Sequence, residues 1–227
     1  MIRKMATSFQ ALLLCAICVS CAPVQQRPSA PATNWEPVIA KFEEADRHSP
    51  PPKGAVLFVG SSSIVLWKDL ADAFPSTKVI NRGFGGSEIA DSIYYIDRIV
   101  APYQPKMVVL YAGDNDLANG KTPQRVFEDY REFVTRIRHK LPEIRIAFIA
   151  IKPSPARWHL IQKVRAANEM IETYTSQGGD LIYLDVFTPM LGADGKPREE
   201  LFAEDKLHLS AEGYRLWRSV IAPHIAR

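Results

Sequence analysis

Five short runs rich in Val, Ile and Leu constrain the fold of this chain more than any other feature. None alternates strictly between apolar and polar residues, as a strand with one face in water would. Such runs are typical of parallel strands that helices cover on both faces of the sheet. They predict strands at Ala55–Val59, Lys78–Ile80, Met107–Tyr111, Arg145–Ile149 and Leu181–Leu184.

Segments with helical periodicity lie between and after these runs. Apolar residues recur every three or four positions over 126–141 and 160–174, and a closing helix is predicted over about 210–225. Thr122-Pro123 and Ser154-Pro155 each combine a capping hydroxyl with a proline at the first helical position. Alternating strands and helices predict an α/β fold, a single three-layer α/β/α domain around a five-stranded, mostly parallel sheet.

The N-terminus has the pattern of a secretion signal. Arg3 and Lys4 precede an apolar run over about residues 9–19, which is too short to span a membrane comfortably. We therefore expect residues 1–21 to be an export signal rather than part of the fold.

The end of this leader resembles a bacterial lipobox. Residues 19–22 read Val-Ser-Cys-Ala, and in such a motif Cys21 becomes the lipid-modified N-terminus. Cleavage after Ala22 is the main alternative, although Pro23 would then follow the cut, and an uncleaved membrane anchor is another. We expect a bacterial lipoprotein anchored at the cell envelope through Cys21, with its domain in the periplasm or on the cell surface.

Composition limits the number of domains, the cysteine chemistry and the class of partner of the rest of the chain. Residues 22–34 are rich in Pro, Ala and Gln and predict a flexible tether, which leaves 35–227 for one domain. All three cysteines lie in the leader, so a domain cut at Cys21 has no disulfide, cysteine nucleophile or cysteine-bound zinc. A net charge of +3 without a Lys/Arg-rich run argues against a nucleic-acid partner.

Four polar loops carry the candidate chemistry, and the carboxyl ends of parallel strands bring such loops to one edge of a sheet. They are Gly60–Ser63, Asn81–Gly86, Gly113–Asp116 and Asp205–His208. Each alone has an ordinary explanation as a turn, an anion cradle, a helix cap or a surface ion pair. Lys152-Pro153, after the fourth strand, gives little indication of a function.

Together the four loops supply the parts of a hydrolytic site. A serine hydroxyl needs a base to take its proton as it attacks, and His208 can be that base. Asp205, three residues earlier, can fix the imidazole tautomer. The backbone N–H groups of Ser62 and Gly86 and the side-chain amide of Asn115 can supply three donors to an oxyanion.

The four loops resemble, in order and over nearly the whole domain, the sequence blocks of the SGNH (GDSL-like) hydrolases, a lipase/acylhydrolase family. Gly60-Ser61-Ser62 corresponds to the family's Gly-Asp-Ser, which implies Ser62 as nucleophile. The segment from Asn81 to Gly86 matches Asn-x-x-x-x-Gly, which implies Gly86 as an oxyanion donor. The resemblance also implies a flavodoxin-like SGNH hydrolase fold.

The last two blocks match as well. Gly113–Asp116 reads Gly-x-Asn-Asp, which implies Asn115 as the side-chain donor, and Asp205 and His208 match Asp-x-x-His. One position departs from the family pattern. Where the family has an aspartate, which is not a member of its triad, this chain has Ser61. Three consecutive serines also leave Ser63 as an alternative nucleophile.

These features predict a serine esterase that hydrolyses short-chain or acetyl esters through an acyl-enzyme, with no cofactor and no metal. The expected substrates are small-molecule, glycan or lipid acyl esters, and membrane contact is expected through the lipid anchor only. The alternatives are an acyltransferase on envelope glycans and a non-catalytic glycan-binding lipoprotein. Trp67 and Trp158 either line a substrate cleft or pack in the core.

Overall fold

Five parallel strands form the middle layer of the structure, a computed structural model that describes residues 35–226. Their order across the sheet is β2-β1-β3-β4-β5, and every neighbouring pair is parallel. The strands are β1 Val56–Gly60, β2 Val79–Gly83, β3 Met107–Tyr111, β4 Arg145–Ile149 and β5 Leu181–Leu184. This order is the flavodoxin-like one, and it confirms the predicted α/β class with a five-stranded sheet.

Two strands end later than predicted, at the edge of the sheet where the polar loops lie. β1 and β2 extend to Gly60 and Gly83, beyond the apolar runs that predicted them, because the parallel ladder continues through these two glycines. A strand ends where its backbone pairing stops, whatever the apolar content of its last residues.

Helices cover both faces of the sheet. The α-helices are α1 Glu36–His48, α2 Ser62–Val65, α3 Leu70–Ala73, α4 Ile89–Tyr94, α5 Ile96–Ile99, α6 Asp114–Ala118, α7 Pro123–Lys140, α8 Ile161–Ser176 and α9 Ala211–Ile225. Short 3-10 turns span Ala101–Tyr103, Pro155–Leu160, Thr188–Met190 and Glu199–Leu201. α7 packs between α4 and α8 on one face, while α2, α3 and α9 meet on the other.

The second face contains an aromatic cluster behind the first strand. Trp67 is 1% exposed and packs edge-on against Phe58 and Trp217, at ring-centroid distances of 6.0 and 6.2 Å. Trp67 is therefore a core residue, whereas Trp158 is half-buried on the 3-10 turn Pro155–Leu160.

Only one of the two predicted serine/threonine–proline caps forms. Thr122 accepts a hydrogen bond from the Arg125 amide at 3.2 Å, as expected. Ser154 makes no side-chain cap, and the residues after it form a 3-10 turn before α8 begins at Ile161. The helix cannot start earlier because Arg157, at φ −115° and ψ 23°, lies outside the helical region.

Residues 1–34, on which the leader and tether were predicted, lie outside the described residues, as does Arg227. Across the described range 35–226, no helix combines the length and apolarity needed to cross a bilayer.

Candidate active site

The first polar loop places one serine of three at the carboxyl edge of the sheet. Gly60 adopts φ +127°, and a Cβ there would lie 1.9 Å from the Tyr111 carbonyl oxygen, so only glycine fits. The turn leads into α2, where Ser62 is half-buried, while Ser61 and Ser63 are fully buried. Of the three serines, Ser62 is therefore the one that reaches the surface.

Ser62 meets a histidine from the far end of the chain. The Ser62 Oγ and His208 Nε2 atoms are 3.0 Å apart, and His208 Nδ1 lies 2.5 Å from Asp205 Oδ2. The other Asp205 oxygen accepts the backbone N–H groups of Leu207 and His208, both at 2.9 Å. The structure thus brings together all three side chains that the sequence assigned to a triad, and the contact is made by Ser62 rather than Ser63.

These contacts also set the charge of Asp205. Hydrogen bonds from the His208 and Leu207 amides, reinforced by the His208 ring, lower the pKa of Asp205 to about 2. The carboxylate is therefore ionised at any pH at which an imidazole titrates. An ionised carboxylate on one ring nitrogen leaves the other free to accept a hydroxyl proton.

The second loop lies directly beside Ser62. A Cβ at Gly85 would lie 3.9 Å from the Ser62 Cβ, and Gly86 adopts φ +83° with the Trp35 ring 3.4 Å from its own Cβ position. Within residues 35–226, the Ser62 and Gly86 amides have no hydrogen-bond acceptor. Two amide donors next to the hydroxyl are thus available to a ligand.

Asn115 joins this loop from the third strand. Its Nδ2 donates to the Ser87 carbonyl oxygen at 3.0 Å, and its Oδ1 accepts from Arg157 Nη2 at 3.0 Å. A side-chain amide carries two N–H donors, and one remains after the Ser87 bond is made. The Asn115 side chain is thus bonded to Ser87, next to Gly86. The loop of Gly86 in turn lies against Ser62.

The sequence profile of the GDSL-like lipase/acylhydrolase family matches residues 58–216, which include the triad side chains and all the loops just described. The chain belongs to this family. The predicted kinship with the SGNH (GDSL-like) hydrolases is confirmed, and the site lies in a hydrolase fold.

Solved structures show the same fold. A GDSL-like lipase from Bacteroides thetaiotaomicron superposes with a TM-score of 0.72 at 20% identity, covering 82% of this chain and 96% of that one. A protein from Bacteroides fragilis proposed to be an acylhydrolase gives 0.73 at 22% identity, covering 83% and 97%. A carbohydrate esterase of family 3 from Talaromyces cellulolyticus gives 0.56 at 16% identity, covering 74% and 94%. No curated protein matches the sequence.

In this hydrolase domain, Asn81 connects the loop that carries Ser62 to the glycine loop, Asn81–Gly86, through hydrogen bonds. The Asn81 Nδ2 donates to the Ile64 carbonyl oxygen at 2.7 Å, and its Oδ1 accepts the Gly83 amide at 2.9 Å. The asparagine that begins the second sequence block therefore does not face the hydroxyl. It fixes the helix that carries Ser62 against the strand end that leads to Gly86.

A buried ionic network behind Asn115 was missed in the sequence. Lys152 Nζ lies 2.8 Å from both Asp114 Oδ2 and the Tyr111 hydroxyl, and Arg157 Nη1 lies 3.3 Å from the same carboxylate oxygen. Burial opposes ionisation of Asp114, but the Lys152 and Arg157 charges outweigh it and hold its pKa below the usual value. Burial also raises the pKa of Tyr111 well above its ordinary value, so this hydroxyl stays neutral.

One signal could have identified Lys152. It follows the unbroken apolar run Ile146–Ile151, at the sheet edge where the other polar loops lie. A lysine there must either face the cleft or be buried with a partner, since an unpaired buried ammonium is very costly. Lys152 is 2% exposed and is paired.

A second ionic cluster joins the glycine loop to the loop of Asn115. Lys121 pairs with Glu88, Asp116 and Asp129, at 2.8 to 2.9 Å, and Asp116 also accepts the Ile89 amide at 3.3 Å. Burial raises the pKa of Asp116 to about 6, and although burial disfavours the Lys121 ammonium, the surrounding carboxylates raise its pKa. Among residues 35–226 no group of His, Cys, Asp and Glu is arranged to hold a metal ion.

Proposed function

We propose that this protein is a serine esterase that hydrolyses short-chain acyl esters through an acyl-enzyme on Ser62. The observation that carries the proposal is the continuous contact from Asp205 through His208 to Ser62, which has the geometry of a nucleophile with its base and orienting carboxylate. Membership of a lipase/acylhydrolase family supports the reaction class.

The first half of the reaction acylates the serine. His208 Nε2 takes the Ser62 proton as Oγ attacks the ester carbonyl carbon, and the carbonyl electrons move onto its oxygen. The Ser62 and Gly86 amides and Asn115 Nδ2 receive that oxyanion. When the tetrahedral intermediate collapses, the ester C–O bond breaks and His208 gives its proton to the departing alcohol.

The second half releases the acid. His208 takes a proton from water as the water oxygen attacks the acyl carbon, and the same donors stabilise the second oxyanion. Collapse breaks the bond to Ser62 Oγ, which recovers its proton from His208. Asp205 stays ionised throughout and stabilises the transient imidazolium.

The substrate proposed is an ester with a small acyl group, with acetylated carbohydrates as the first class to test. The site is open, because the side chains of His208 and Asp205 are 27% and 49% exposed and Gly85 and Gly86 lie at the surface. The family 3 carbohydrate esterase with the same fold supports this class as a starting point. A panel of acetylated sugars, aryl esters of increasing acyl length and a lysophospholipid measures the preference.

Ser62→Ala tests the reaction, with Ser63→Ala as the matched control one residue away. We expect Ser62→Ala to lower kcat on an aryl acetate by about 10⁴-fold or more, because the nucleophile is lost. Ser63→Ala removes a buried hydroxyl that makes no hydrogen bond among the described residues, so activity should stay within about threefold. A fluorophosphonate should label the wild type and the control but not Ser62→Ala. Wild-type turnover by a folded Ser62→Ala variant would refute the mechanism.

We also propose that the domain is exported and held at the cell envelope by a lipid on Cys21, with residues 22–34 as a tether of up to about 40 Å. Cys21→Ser should move the protein from the detergent phase to the aqueous phase in a phase-partition assay of expressing cells. Retention of the variant in the detergent phase would favour an uncleaved anchor instead.

A further inference from the structure

We propose that Arg157 is a positioning residue that holds the Asn115 amide with its N–H group toward the oxyanion. This inference rests on the esterase proposed above and extends it to a residue outside the four family blocks. Arg157 lies on the 3-10 turn Pro155–Leu160, and its side chain is 21% exposed.

An asparagine in an oxyanion hole has to be held in one orientation. Its oxygen and nitrogen are nearly equal in size, so a half-turn of the amide plane would place the oxygen against a developing negative charge. The two neighbours of Asn115 forbid that turn. Arg157 can only donate and therefore requires Oδ1, while the Ser87 carbonyl can only accept and therefore requires Nδ2.

Arg157 is itself held in place by an ion pair with Asp114. Its Nη1 lies 3.3 Å from Asp114 Oδ2, and Lys152 and Tyr111 contact the same oxygen at 2.8 and 3.1 Å. Within the group of Asp114, Lys152 and Arg157, two cations face one carboxylate, so this group carries a net positive charge next to Asn115. In a site partly shielded from water, this charge polarises the amide and favours the oxyanion over the neutral carbonyl.

The same turn also contacts the histidine loop. The Ala156 amide donates to the Lys206 carbonyl oxygen at 3.0 Å, between Asp205 and His208 in the chain. One 3-10 turn therefore touches both the base side and the oxyanion side of the site. Within this turn Arg157 has a non-helical backbone, and its side chain contacts Asn115.

The test is a double-mutant cycle between Arg157 and Asn115, measured as kcat and KM on an activated short-chain aryl ester. We expect Arg157→Ala to lower kcat about 10- to 100-fold with KM within about threefold, since a misplaced donor acts on the transition state. Arg157→Lys should recover part of that loss, because it keeps a charge and a donor. In an Asn115→Ala background the same Arg157→Ala change should cost less than about threefold.

Arg165→Ala, which removes an arginine from α8 that packs over Phe187, is the matched control and should leave kcat unchanged. The inference is overturned if Arg157→Ala raises KM at constant kcat, or costs as much without Asn115 as with it. If Arg157→Ala does not fold, Arg157→Lys is the deciding variant. Wild-type KM with reduced kcat in Arg157→Lys supports positioning, whereas wild-type kcat overturns it. If Ser62→Ala abolishes turnover while these variants leave kcat unchanged, only this inference fails. If Ser62→Ala keeps its activity, the esterase proposal itself fails.

Discussion

The two sides of the proposed active site, that of the base His208 and that of the oxyanion donor Asn115, are held in different ways. On the base side, His208 contacts Ser62 and Asp205, and Asp205 is half exposed and fixed mainly by two backbone amides. On the oxyanion side, Asn115 is 9% exposed and is backed by the buried Asp114–Lys152 pair. Local backbone holds the base, whereas long-range buried charge holds the side-chain donor.

The difference follows from what each side has to do. A base exchanges protons with substrate and water, so it needs access to solvent and tolerates surroundings with few buried contacts. Oxyanion donors work only if their dipoles are already aimed before charge develops, so they need neighbours that do not move. This comparison predicts that changes behind Asn115 cost stability as well as rate, while changes on the base side cost mainly rate.

The largest stability effect should come from Lys152→Met. Removing the ammonium leaves the buried Asp114 carboxylate with Arg157 as its remaining cation, and breaking such a buried pair costs about 3–5 kcal/mol of unfolding free energy. Urea denaturation monitored by circular dichroism measures the loss.

Lys140→Met is the matched control for that measurement. Lys140 pairs with Asp97 at 2.9 Å, but both side chains are well exposed, so its loss should change the unfolding free energy by about 1 kcal/mol or less. Equal effects of the two variants would contradict the view that buried charge supports the oxyanion side.

Asn115→Ala should lower kcat by about 10²- to 10³-fold, the usual cost of one oxyanion donor. Asn119→Ala offers a control one helical turn away, because Asn119 bonds the Glu88 side chain at 2.7 Å and not the reacting region. Steady-state kinetics on an aryl acetate compares them. Similar rates for the two variants would remove Asn115 from the site.

The smallest effect concerns the shape of the pH profile. Because the pKa of Asp205 is lowered to about 2, this carboxylate does not titrate together with the imidazole. Acidification should therefore reduce kcat/KM with a limiting slope of about one in the logarithmic plot, as expected for a single catalytic base. A slope near two would show that a second group, such as Asp116 with its pKa of about 6, also governs activity.

Asp205 also links this profile to stability. Its pKa is lower in the folded state than in the unfolded chain, so the stabilisation it provides is complete above the ordinary carboxyl pKa and is lost as the pH falls toward about 2. Activity measured above the ordinary carboxyl pKa should therefore not be affected by this loss of stability.

Much of the fold could be predicted because the signals are local. An apolar run without alternation indicates a strand buried on both faces, and the Thr122-Pro123 cap forms as expected. Ser154-Pro155 carries the same local signal and yet starts a 3-10 turn, in which Arg157 contacts Asn115 and Asp114 from a distant segment of the chain. A cap signal cannot report such bonds.

The sequence alone determined the fold class, the family and the residue types that the site brings together, because these depend on periodicity and on short motifs. Only the tertiary structure decided which of three serines meets His208 and which side chains hold Asn115. Ser62 and His208 are separated by 146 positions, and Lys152 and Arg157 belong to no motif. Their roles arise from the packing of distant segments at one sheet edge, where burial makes unpaired charge costly and so selects the partners.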